Sequence, residues 1–501
     1  MDLLPRNSNQ LDEGRNKLMK LNELLSSVEI IPTLKTQNIQ VNGIAFNSKN
    51  IKEGYLFVAI SGTHTDGHTY IEDALTNGAI AVVGEQELFL NEVPYFQVKD
   101  ARKALAYLAK TFYKNPTNNK TLIGITGTNG KTTTSYMLKH ILESQGISCA
   151  VFGSISIIIN NEEYSSTHTT LDPLTFHELA AKSKDQVIIM EVSSHGLVQQ
   201  RVEGLEFDYC IFTNIEHEHL DYHKDMESYY LAKQSLFTYL KSNGKAILLS
   251  SNDWSERLNT YVNSLGREVI KINGSSPTYT IDIDKIIEQQ TGKVFSLTTQ
   301  MQGEHNINNA AAAFATSVHF GLDPKHVELT LNNFKGIPGR YQLFPLPNSA
   351  TAVVDYAHTA NAFHYILDTV KSQNARMIYH VFGFRGNRDV QKRARMIEMS
   401  LKYADRCILT FDDLNGVPAE QMINELENLG AHEKCVIYPD RTEAIKYAWE
   451  IAGPGDWIVI TGKGNEAYKQ SYSLSTKSDI DTLNYLLSTK HSAKPEIESL
   501  L

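Results

Sequence analysis

The sequence predicts an α/β protein of three domains, and three observations lead to this prediction. The chain has 501 residues, and at about 150 residues per domain this length suggests about three domains. Short apolar runs alternate with helical stretches along most of the chain, a pattern typical of largely parallel sheets. Two segments, NPTNNK (115–120) and GIPGRYQ (336–342), mark boundaries. We therefore predict domains at 1–117, 118–338 and 339–501.

The first domain is predicted to be a small α/β unit. The run GYLFVAI (54–60) predicts a buried strand, and AIAVVG (79–84) predicts a second one. Between them, TYIEDALTNGA (69–79) predicts a helix that Gly78 closes. A further helix, ARKALAYLAKTFYKNP (101–116), is expected to end at Pro116, just before the linker.

The second and third domains each show a series of short apolar runs separated by helical stretches. We expect a parallel sheet in the central domain and a Rossmann-like α/β arrangement in the third. The strands predicted in the central domain are TLIGIT (121–126), QVIIMEV (186–192), DYCIFTN (208–214) and KAILLS (245–250). Those predicted in the third are TAVVDYA (351–357), ARMIYHVFG (375–383), DRCILTF (405–411), KCVIYP (434–439) and DWIVITG (456–462).

Composition excludes several classes of protein. The formal net charge is -10, which argues against a uniform basic surface for nucleic acid and leaves room for a local basic pocket. No apolar run approaches the roughly 18 residues that span a bilayer, and the polar start MDLLPRNSNQLDEGRNK lacks a signal core. The four cysteines are far apart and predict reduced thiols. We expect a cytoplasmic protein with no membrane insertion and no nucleic-acid partner.

A glycine-rich loop follows the first strand of the central domain. In GTNGKTTTSYMLKHIL (127–142), Gly127 and Gly130 allow a tight turn that directs amide groups at an anion. Lys131 supplies a charge for terminal phosphates, and the Thr132 hydroxyl is a ligand for Mg²⁺. Ile125 occupies the first glycine position of the usual pattern. The loop predicts a P-loop ATPase domain; the alternative is a glycine-rich turn with a surface lysine.

Acidic and imidazole side chains follow two of the central strands. Glu191 ends one predicted strand, and His217, His219 and His223 follow the next. Ligands gather at the carboxyl ends of parallel strands, where one carboxylate, one imidazole and nucleotide phosphates suit a divalent cation. The alternative is a merely polar turn. Lys233 lies in a stretch of helical periodicity, YYLAKQSLF (229–237), and by itself predicts a solvated residue.

Nine sequence blocks together resemble the Mur ligase family, in the family's order over nearly the whole chain. They are TGTNGKTT (126–133), MEVSSHGLVQQRV (190–202), HLDYH (219–223), YLAK (230–233), GEHNINNAAAA (303–313), GIPGRY (336–341), DYAHT (355–359), GNRDVQKR (386–393) and GKGNEAY (462–468). The resemblance implies that the first domain holds a UDP-sugar, the central one ATP, and the third an incoming amino acid. It is strongest for the branch that adds the third residue of the muramyl peptide.

The resemblance also implies a role for each residue that matches a family motif. Catalytic roles fall on Lys131, Lys233, His219 and Glu191, with Lys233 carbamylated and Mg²⁺ held by Thr132, Glu191 and His219. ATP would contact Gly127, Thr128, Asn129, Gly130, Lys131, Thr132, Thr133, Asn306, Asn309, Arg340, Asp355 and His358. The UDP-sugar peptide would contact Ser48, Thr169, Thr170, Ser193 and Arg201. The amino acid would contact Arg388, Asp412, Asp413, Asn415, Gly462 and Glu466.

The chain departs from the family where the amino acid would bind. Relatives that add diaminopimelate usually carry Asp-Asn-Pro-Arg, and here the block is Asp-Asp-Leu-Asn (412–415). Asn415 cannot replace a bidentate guanidinium, and no arginine lies between Arg406 and Arg441 to offset Asp412 and Asp413. We therefore expect L-lysine or another amino acid that is not diaminopimelate.

Three functions stay open from the sequence. The first is an ATP- and Mg²⁺-dependent ligase that joins an amino acid to a UDP-N-acetylmuramyl-peptide through an acyl-phosphate. The second is a related amide ligase of another pathway, which the change at 412–415 and Asn465, in a position where the family usually has histidine, motivate. The third is a nucleotide-binding regulatory protein without catalysis, against which the presence of Lys131 and Lys233 argues. We expect a monomer.

Overall fold

The structure is a computed structural model that describes residues 18–31, 39–62, 65–166, 168–250, 252–387 and 390–491. Three larger sheets follow one another along the chain, each built mainly of parallel strands and packed with helices, and a two-stranded antiparallel sheet precedes them. This arrangement confirms the predicted α/β class with three domains. The sheets occupy 43–97, 121–296 and 342–461, and the domain boundaries near 117 and 338 stay predictions. No helix in the described ranges is long and apolar enough to cross a membrane.

The first domain contains a four-stranded parallel sheet in the order β3-β4-β5-β6. Helix α3 begins after Asp100, whose carboxylate accepts a hydrogen bond from the Lys103 amide. It ends at Phe112 rather than at Pro116, because Lys114 and Asn115 adopt left-handed backbone conformations. The elements are β1 (Met19–Lys20), α1 (Leu21–Leu25), β2 (Gln40–Val41), β3 (Gly43–Ala45), β4 (Tyr55–Val58), α2 (Ile71–Thr76), β5 (Ala79–Gly84), β6 (Tyr95–Gln97) and α3 (Ala101–Phe112).

The central domain is built on an eleven-stranded mixed sheet in the order β10-β9-β8-β11-β7-β12-β13-β14-β15-β16-β17. Strands β8 to β14 of this order are parallel, and antiparallel hairpins extend both edges. Its strands are β7 (Thr121–Thr126), β8 (Cys149–Phe152), β9 (Ser156–Ile159), β10 (Glu162–Ser165), β11 (Val187–Glu191), β12 (Phe207–Phe212), β13 (Leu240–Leu249), β14 (Glu268–Ile272), β15 (Tyr279–Asp282), β16 (Lys285–Glu288) and β17 (Val294–Ser296). Its helices are α4 (Lys131–Glu143), α5 (Pro173–Lys182), α6 (Ser194–Val198), α7 (Leu220–His223), α8 (Met226–Gln234), α9 (Asp253–Ser264), α10 (Glu304–Phe320) and α11 (Pro324–Asn332).

The third domain has a six-stranded sheet in the order β18-β19-β23-β20-β21-β22, parallel except at the β18 edge. All five strands predicted here are present. The elements are β18 (Gln342–Pro345), β19 (Thr351–Asp355), α12 (Ala360–Ser372), β20 (Ile378–Phe384), α13 (Gln391–Tyr403), β21 (Arg406–Phe411), α14 (Ala419–Leu429), β22 (Cys435–Ile437), α15 (Arg441–Ile451), β23 (Trp457–Thr461) and α16 (Asp479–His491).

The middle of the large sheet positions the candidate site. Strand β7 lies between β11 and β12, and both neighbours run parallel to it. The register sets Glu191 beside Ile125 and Phe212 beside Thr126. The carboxyl ends of three strands therefore meet at one edge, where the chain continues into the glycine-rich loop.

Candidate functional site

The glycine-rich loop joins β7 to α4, as the sequence predicted. Gly127 has φ of 150° and Gly130 has φ of 86°, values that favour glycine. A Cβ atom on Gly127 would lie 1.9 Å from Thr213 Oγ1, and one on Gly130 would lie 2.2 Å from Asn309 Oδ1. Both contacts are far below van der Waals distance, so neither position has room for a side chain.

The chain just after β12 holds this loop in place. The Thr128 amide donates to the Asn214 carbonyl at 3.0 Å, and the Asn129 amide donates to Asn214 Oδ1 at 2.9 Å. The Thr213 hydroxyl donates to the Asn129 carbonyl at 2.6 Å. The loop is therefore fixed by hydrogen bonds before any phosphate binds.

Two lysines meet behind the loop. Lys131 Nζ donates to the carbonyls of Gly127 and Thr128, and Lys233 Nζ donates to the Gly127 carbonyl. Burial lowers the pKa of Lys233 well below its ordinary value, and the charge of Lys131 lowers it further. Lys233 is 1% exposed, so its interpretation as a solvated helix residue was wrong. Helix α8 directs it inward, with Nζ 4.5 Å from the centre of the Tyr229 ring.

The residues predicted to hold Mg²⁺ lie around the same loop. Glu191 is fully buried at the end of β11, where its carboxylate accepts hydrogen bonds from the Ser154 amide and hydroxyl at 3.1 and 2.8 Å. Thr132 is buried in the first turn of α4, and both Thr132 and His219 line the larger of two cavities. Carboxylate and hydroxyl oxygens are the donors that Mg²⁺ prefers, so this donor set fits the cation.

The three histidines of the predicted cluster separate in the structure. His217 is exposed on the surface, and His223 is buried, with Nε2 2.9 Å from the Ser194 hydroxyl. Only His219 lines a described cavity. Burial lowers the pKa of His219 to about 4, with Glu218 opposing the shift, so the ring is neutral and able to bind a metal at neutral pH. Within the described ranges, no cluster of three or more His, Cys, Asp or Glu side chains forms a metal centre, and phosphates would have to complete the ligand set.

A cavity of about 510 Å³ lies between the loop, α10 and the third domain. Helix α10 contributes Asn306 and Asn309, both buried. Asp355 accepts hydrogen bonds from the amides of Tyr341 and Ala357, each at 2.7 Å. The predicted ATP contacts that line this cavity are Asn129, Gly130, Thr133, Asn306, Asn309, Arg340, Asp355 and His358.

The third domain is tied to the central one beside the loop. His358 Nδ1 donates to the Tyr356 carbonyl at 2.9 Å, and its Nε2 lies 3.0 Å from Glu218 Oε1. Burial alone would raise the pKa of Glu218, but the hydrogen bond with His358 and the charges of His219 and His358 hold it well below its ordinary value. Glu218 is therefore a carboxylate that links the two domains.

A larger cavity of about 940 Å³ opens on the other side of the loop. Thr169, Ser193 and Arg201, three of the predicted UDP-sugar contacts, line it. Thr170 is buried and donates to the Glu191 carbonyl at 3.1 Å, so it supports this wall rather than lining it. Ser48 lies in the first domain and lines neither of the two described cavities.

The end of the larger cavity in the third domain carries the predicted amino-acid contacts. Asp412 and Glu466 line it, whereas Asp413, Asn415 and Gly462 are not among its lining residues. Asn415 Nδ2 instead donates to the Gly386 carbonyl at 3.1 Å. Arg388 lies outside the described residues.

The charge expected at this end of the cavity from the sequence is wrong. Asp412 and Asp413 were expected to present uncompensated negative charge, yet both are buried and paired. Lys463 Nζ lies 2.7 Å from Asp413 Oδ1 and 3.4 Å from Asp412 Oδ1. Lys469 also pairs with Asp413, and Arg385 with Asp412. These cations come from 385 and from 463–469, outside the interval 406–441 in which the sequence lacks arginine.

Comparison with known proteins decides the family. The descriptions "Mur ligase family, catalytic domain", "Mur ligase middle domain" and "Mur ligase, glutamate ligase domain" match residues 40–113, 125–317 and 339–464. A UDP-N-acetylmuramoyl-L-alanyl-D-glutamate–2,6-diaminopimelate ligase of Aquifex aeolicus is 36% identical over 453 residues, 86% of this chain and 90% of that protein. The chain belongs to the Mur ligase family. A ligase of the same name from Bacteroides thetaiotaomicron is 34% identical over 476 residues, 90% of this chain and 96% of that protein.

Solved structures of Mur ligases share the fold. A structure named UDP-N-acetylmuramoyl-L-alanyl-D-glutamate–2,6-diaminopimelate ligase has a TM-score of 0.66 and 27% identity, covering 95% of this chain and 99% of its own. The MurF ligase of Thermotoga maritima, solved with ADP, has a TM-score of 0.57 and 20% identity, covering 83% of this chain and 93% of its own. As a member of this family, the chain is an ATP- and Mg²⁺-dependent peptide ligase of peptidoglycan synthesis.

Several residues of this Mur ligase site were not singled out from the sequence. They line the two cavities and include Ser154, His195, Asn214, Glu216, Asn252, His305, Arg385, Lys392 and Lys463. Asn214 had a usable signal, since it ends a predicted strand at the edge where ligands gather. Arg385 had the same signal, since it follows the predicted strand ARMIYHVFG (375–383), but only the fold brings it to Glu466.

Proposed function

We propose that this Mur ligase adds an amino acid to UDP-N-acetylmuramoyl-L-alanyl-D-glutamate, with ATP converted to ADP and phosphate. The observation that carries the proposal is the meeting of the two cavities at the phosphate loop. Asn129, Gly130, Thr133, Arg340, Tyr356 and His358 line both of them. A nucleotide in the smaller cavity and a carboxylate in the larger one would therefore meet at this loop, as phosphoryl transfer requires.

Activation of the carboxylate is the first step. Amide formation in water is uphill, so an oxygen of the acceptor carboxylate attacks the γ-phosphorus of ATP and ADP leaves, giving an acyl-phosphate. Lys131 stabilises the charge that develops on the transferring group, since its Nζ is already held at the loop by two carbonyls. Bound Mg²⁺ would neutralise phosphate charge, with Glu191, Thr132 and His219 as its protein ligands.

Amide formation is the second step. The neutral amine of the incoming amino acid attacks the acyl carbon, the carbon–nitrogen bond forms, and phosphate leaves as the nitrogen loses a proton. The amine would approach from the third domain, whose Glu466 and Arg385 line the same cavity as Lys131. The contact between His358 and Glu218 holds that domain against the central one, which keeps water from the acyl-phosphate.

The UDP-sugar peptide would lie along the wall formed by Thr169, Ser193 and Arg201. Burial lowers the pKa of Arg201, with Asp172 opposing the shift, and the guanidinium still offers the cavity a cation. Ser48 would contact the uridine end from the first domain, well away from the reacting carboxylate. We also propose that the protein acts in the cytoplasm, since its nucleotide substrates are cytoplasmic. We propose that it is a monomer.

The incoming amino acid is proposed to be L-lysine or another residue with a single carboxylate. Asn415 stands where a guanidinium would grip a second carboxylate, and it bonds to the Gly386 carbonyl instead. Glu466 has a side chain that is 39% exposed and paired with Arg385, and a side-chain ammonium could take the place of that partner. Because Asp412 and Asp413 are paired with cations, they do not select the amino acid by charge. The proposal therefore depends on Asn415 and Glu466.

Diaminopimelate is the second candidate, and the names of the curated relatives favour it. The test is to incubate the protein with ATP, Mg²⁺, UDP-N-acetylmuramoyl-L-alanyl-D-glutamate and one amino acid at a time. The product mass identifies the amino acid, and phosphate release gives the rate. If no amino acid yields product, the acceptor is wrong, and related UDP-muramyl peptides or other carboxylates are tried next.

A further inference from the structure

Arg385 is a cation at the amino-acid end of the larger cavity. It directly follows β20, and it lines the cavity with 23% of its side chain exposed. The Tyr356 ring lies beneath it, 5.7 Å from Cζ to the ring centre, and Arg340 lies 4.2 Å from the same ring. Arg385 is therefore close to the residues that line both cavities, where the acyl-phosphate would form.

Arg385 is restrained mainly by one exposed partner. Its Nη2 is hydrogen-bonded to Glu466 Oε2 and lies 3.3 Å from the Gly462 carbonyl. Its Nε lies 3.4 Å from Asp412 Oδ2, which is long for a charged pair. None of the described residues accepts a hydrogen bond from Nη1. Toward the described residues, one edge of the guanidinium is thus unoccupied, and its strongest partner is Glu466, a partly exposed carboxylate that lines the same cavity.

Two other cations at this end, Lys463 and Arg393, are more fully committed. Lys463 is 1% exposed and bonds to Asp412 and Asp413. Arg393 is buried, with Nη1 paired to Glu425 and Nη2 donating to the Arg385 carbonyl. Of these three cations, only Arg385 combines exposure to the cavity with a free donor edge.

We propose that Arg385 determines specificity by binding a carboxylate of the incoming amino acid, while Glu466 receives its side-chain ammonium. The inference rests on the proposed ligase function. The incoming amino acid would enter between the two side chains and replace their mutual ion pair. Its carboxylate would pair with Arg385 and its side-chain ammonium with Glu466, which leaves the neutral α-amine to attack the acyl-phosphate. A planar guanidinium binds a carboxylate through two parallel hydrogen bonds, which a lysine cannot reproduce. The carboxylate is either the α-carboxylate or the distal carboxylate of a two-ended amino acid.

The test compares lysine, lysinamide and diaminopimelate with Arg385→Ala, Arg385→Lys and wild-type protein. Lysinamide lacks the α-carboxylate, and diaminopimelate carries a second one. If Arg385 binds the α-carboxylate, Arg385→Ala lowers kcat/KM for lysine about tenfold or more, mainly through KM, and leaves lysinamide and the KM for ATP within about twofold. If it binds the distal carboxylate, the loss is confined to diaminopimelate. Arg385→Lys retains the charge and recovers only part of the loss.

Arg395→Ala is the matched control, because Arg395 is exposed on α13 of the same domain and lines neither described cavity. Melting curves confirm that each variant is folded. An equal loss for lysine, lysinamide and diaminopimelate would overturn the proposal, since Arg385 would then only support Glu466 and Asp412. If wild type turns over none of the three, the proposed function fails, and calorimetric titration of the same compounds still decides the role of Arg385. Equal binding of lysine and lysinamide, with diaminopimelate unaffected by Arg385→Ala, would refute it.

Discussion

Lys131 and Lys233 donate hydrogen bonds to the same carbonyl oxygen, that of Gly127, each with a length of 2.8 Å. The first lysine comes from the phosphate loop and the second from α8, about a hundred residues later in the chain. Burial lowers the pKa of both amines. The charge of Lys131 disfavours a second ammonium beside it, so the pair is suited to one cation and one neutral amine.

Replacing Lys131 by alanine is expected to abolish ligation and to leave the fold intact. The ammonium is the charge that the loop offers to the transferring phosphoryl group, and loss of one such stabilising group costs about a hundredfold or more. Steady-state release of phosphate measures the effect. Lys182→Ala is the control, since it removes only an exposed pair with Glu178. Near-normal turnover by folded Lys131→Ala protein would show that this loop does not bind the reacting phosphates.

Lys233 is expected to be carbamylated. Carbon dioxide reacts with a neutral amine, and the lowered pKa of Lys233 favours the neutral form. The carbamate nitrogen retains one hydrogen and can still donate to Gly127. We expect Lys233→Ala to be inactive and to regain activity with added formate or acetate, whereas Lys131→Ala should not respond. Full activity of Lys233→Ala without any added carboxylate would contradict the carbamylation of Lys233.

The choice of amino acid is expected to favour lysine over diaminopimelate, ornithine and alanine. The expected ratio of kcat/KM between lysine and diaminopimelate is about tenfold or more, because an unpaired carboxylate in a closed site costs about 2 kcal/mol or more. Competition assays with all four amino acids in one mixture, read by product mass, measure the order directly. A preference for diaminopimelate would refute the argument from Asn415, and a preference for alanine would refute only the role given to Glu466.

Acid is expected to destabilise the third domain through His380. This imidazole is buried between the Ser400 and Thr461 hydroxyls, at 2.8 and 2.9 Å, and burial lowers its pKa to about 3. An unfolded histidine has a pKa of about 6.5, so between these values the unfolded chain binds a proton that the folded chain does not. Stability therefore falls as the pH drops from about 6.5 towards 3. At pH 5 the loss from this group is about 2 kcal/mol.

Denaturant unfolding of wild type and His380→Gln at pH 8 and pH 5 checks this prediction. The variant should lose less stability on acidification, whatever its stability at pH 8. His432→Gln serves as control, because His432 is exposed. An identical pH response in wild type and His380→Gln would contradict the prediction.

The fold and the phosphate loop could be predicted from the sequence because their determinants are local. A buried strand, two glycines and a lysine within a few residues define the loop, and apolar runs define the strands of the third domain. The edge hairpins β9–β10 and β15–β17 were not predicted. Strands β10 and β16 carry polar and exposed residues such as Glu162, Glu163 and Lys285, so they do not stand out as apolar runs. Strand β9 (Ser156–Ile159) is an apolar run that was passed over.

The charge balance of the amino-acid end could not be predicted, because it depends on contacts between distant segments. Asp412 and Asp413 were judged by the arginines near them in sequence. The fold instead brings Arg385 from the end of β20 and Lys463 from the end of β23 to the same carboxylates. Register between parallel strands, which sequence periodicity does not specify, decides such pairings.

The most direct test of the account measures the nucleotide product and the ligated product in the same reaction. With ATP, Mg²⁺, UDP-N-acetylmuramoyl-L-alanyl-D-glutamate and the preferred amino acid, we expect one ADP and one phosphate for each new amide bond, and neither in comparable amount when the amino acid is omitted. Formation of AMP and pyrophosphate, or ATP hydrolysis without any ligated product, would contradict the proposed acyl-phosphate ligase.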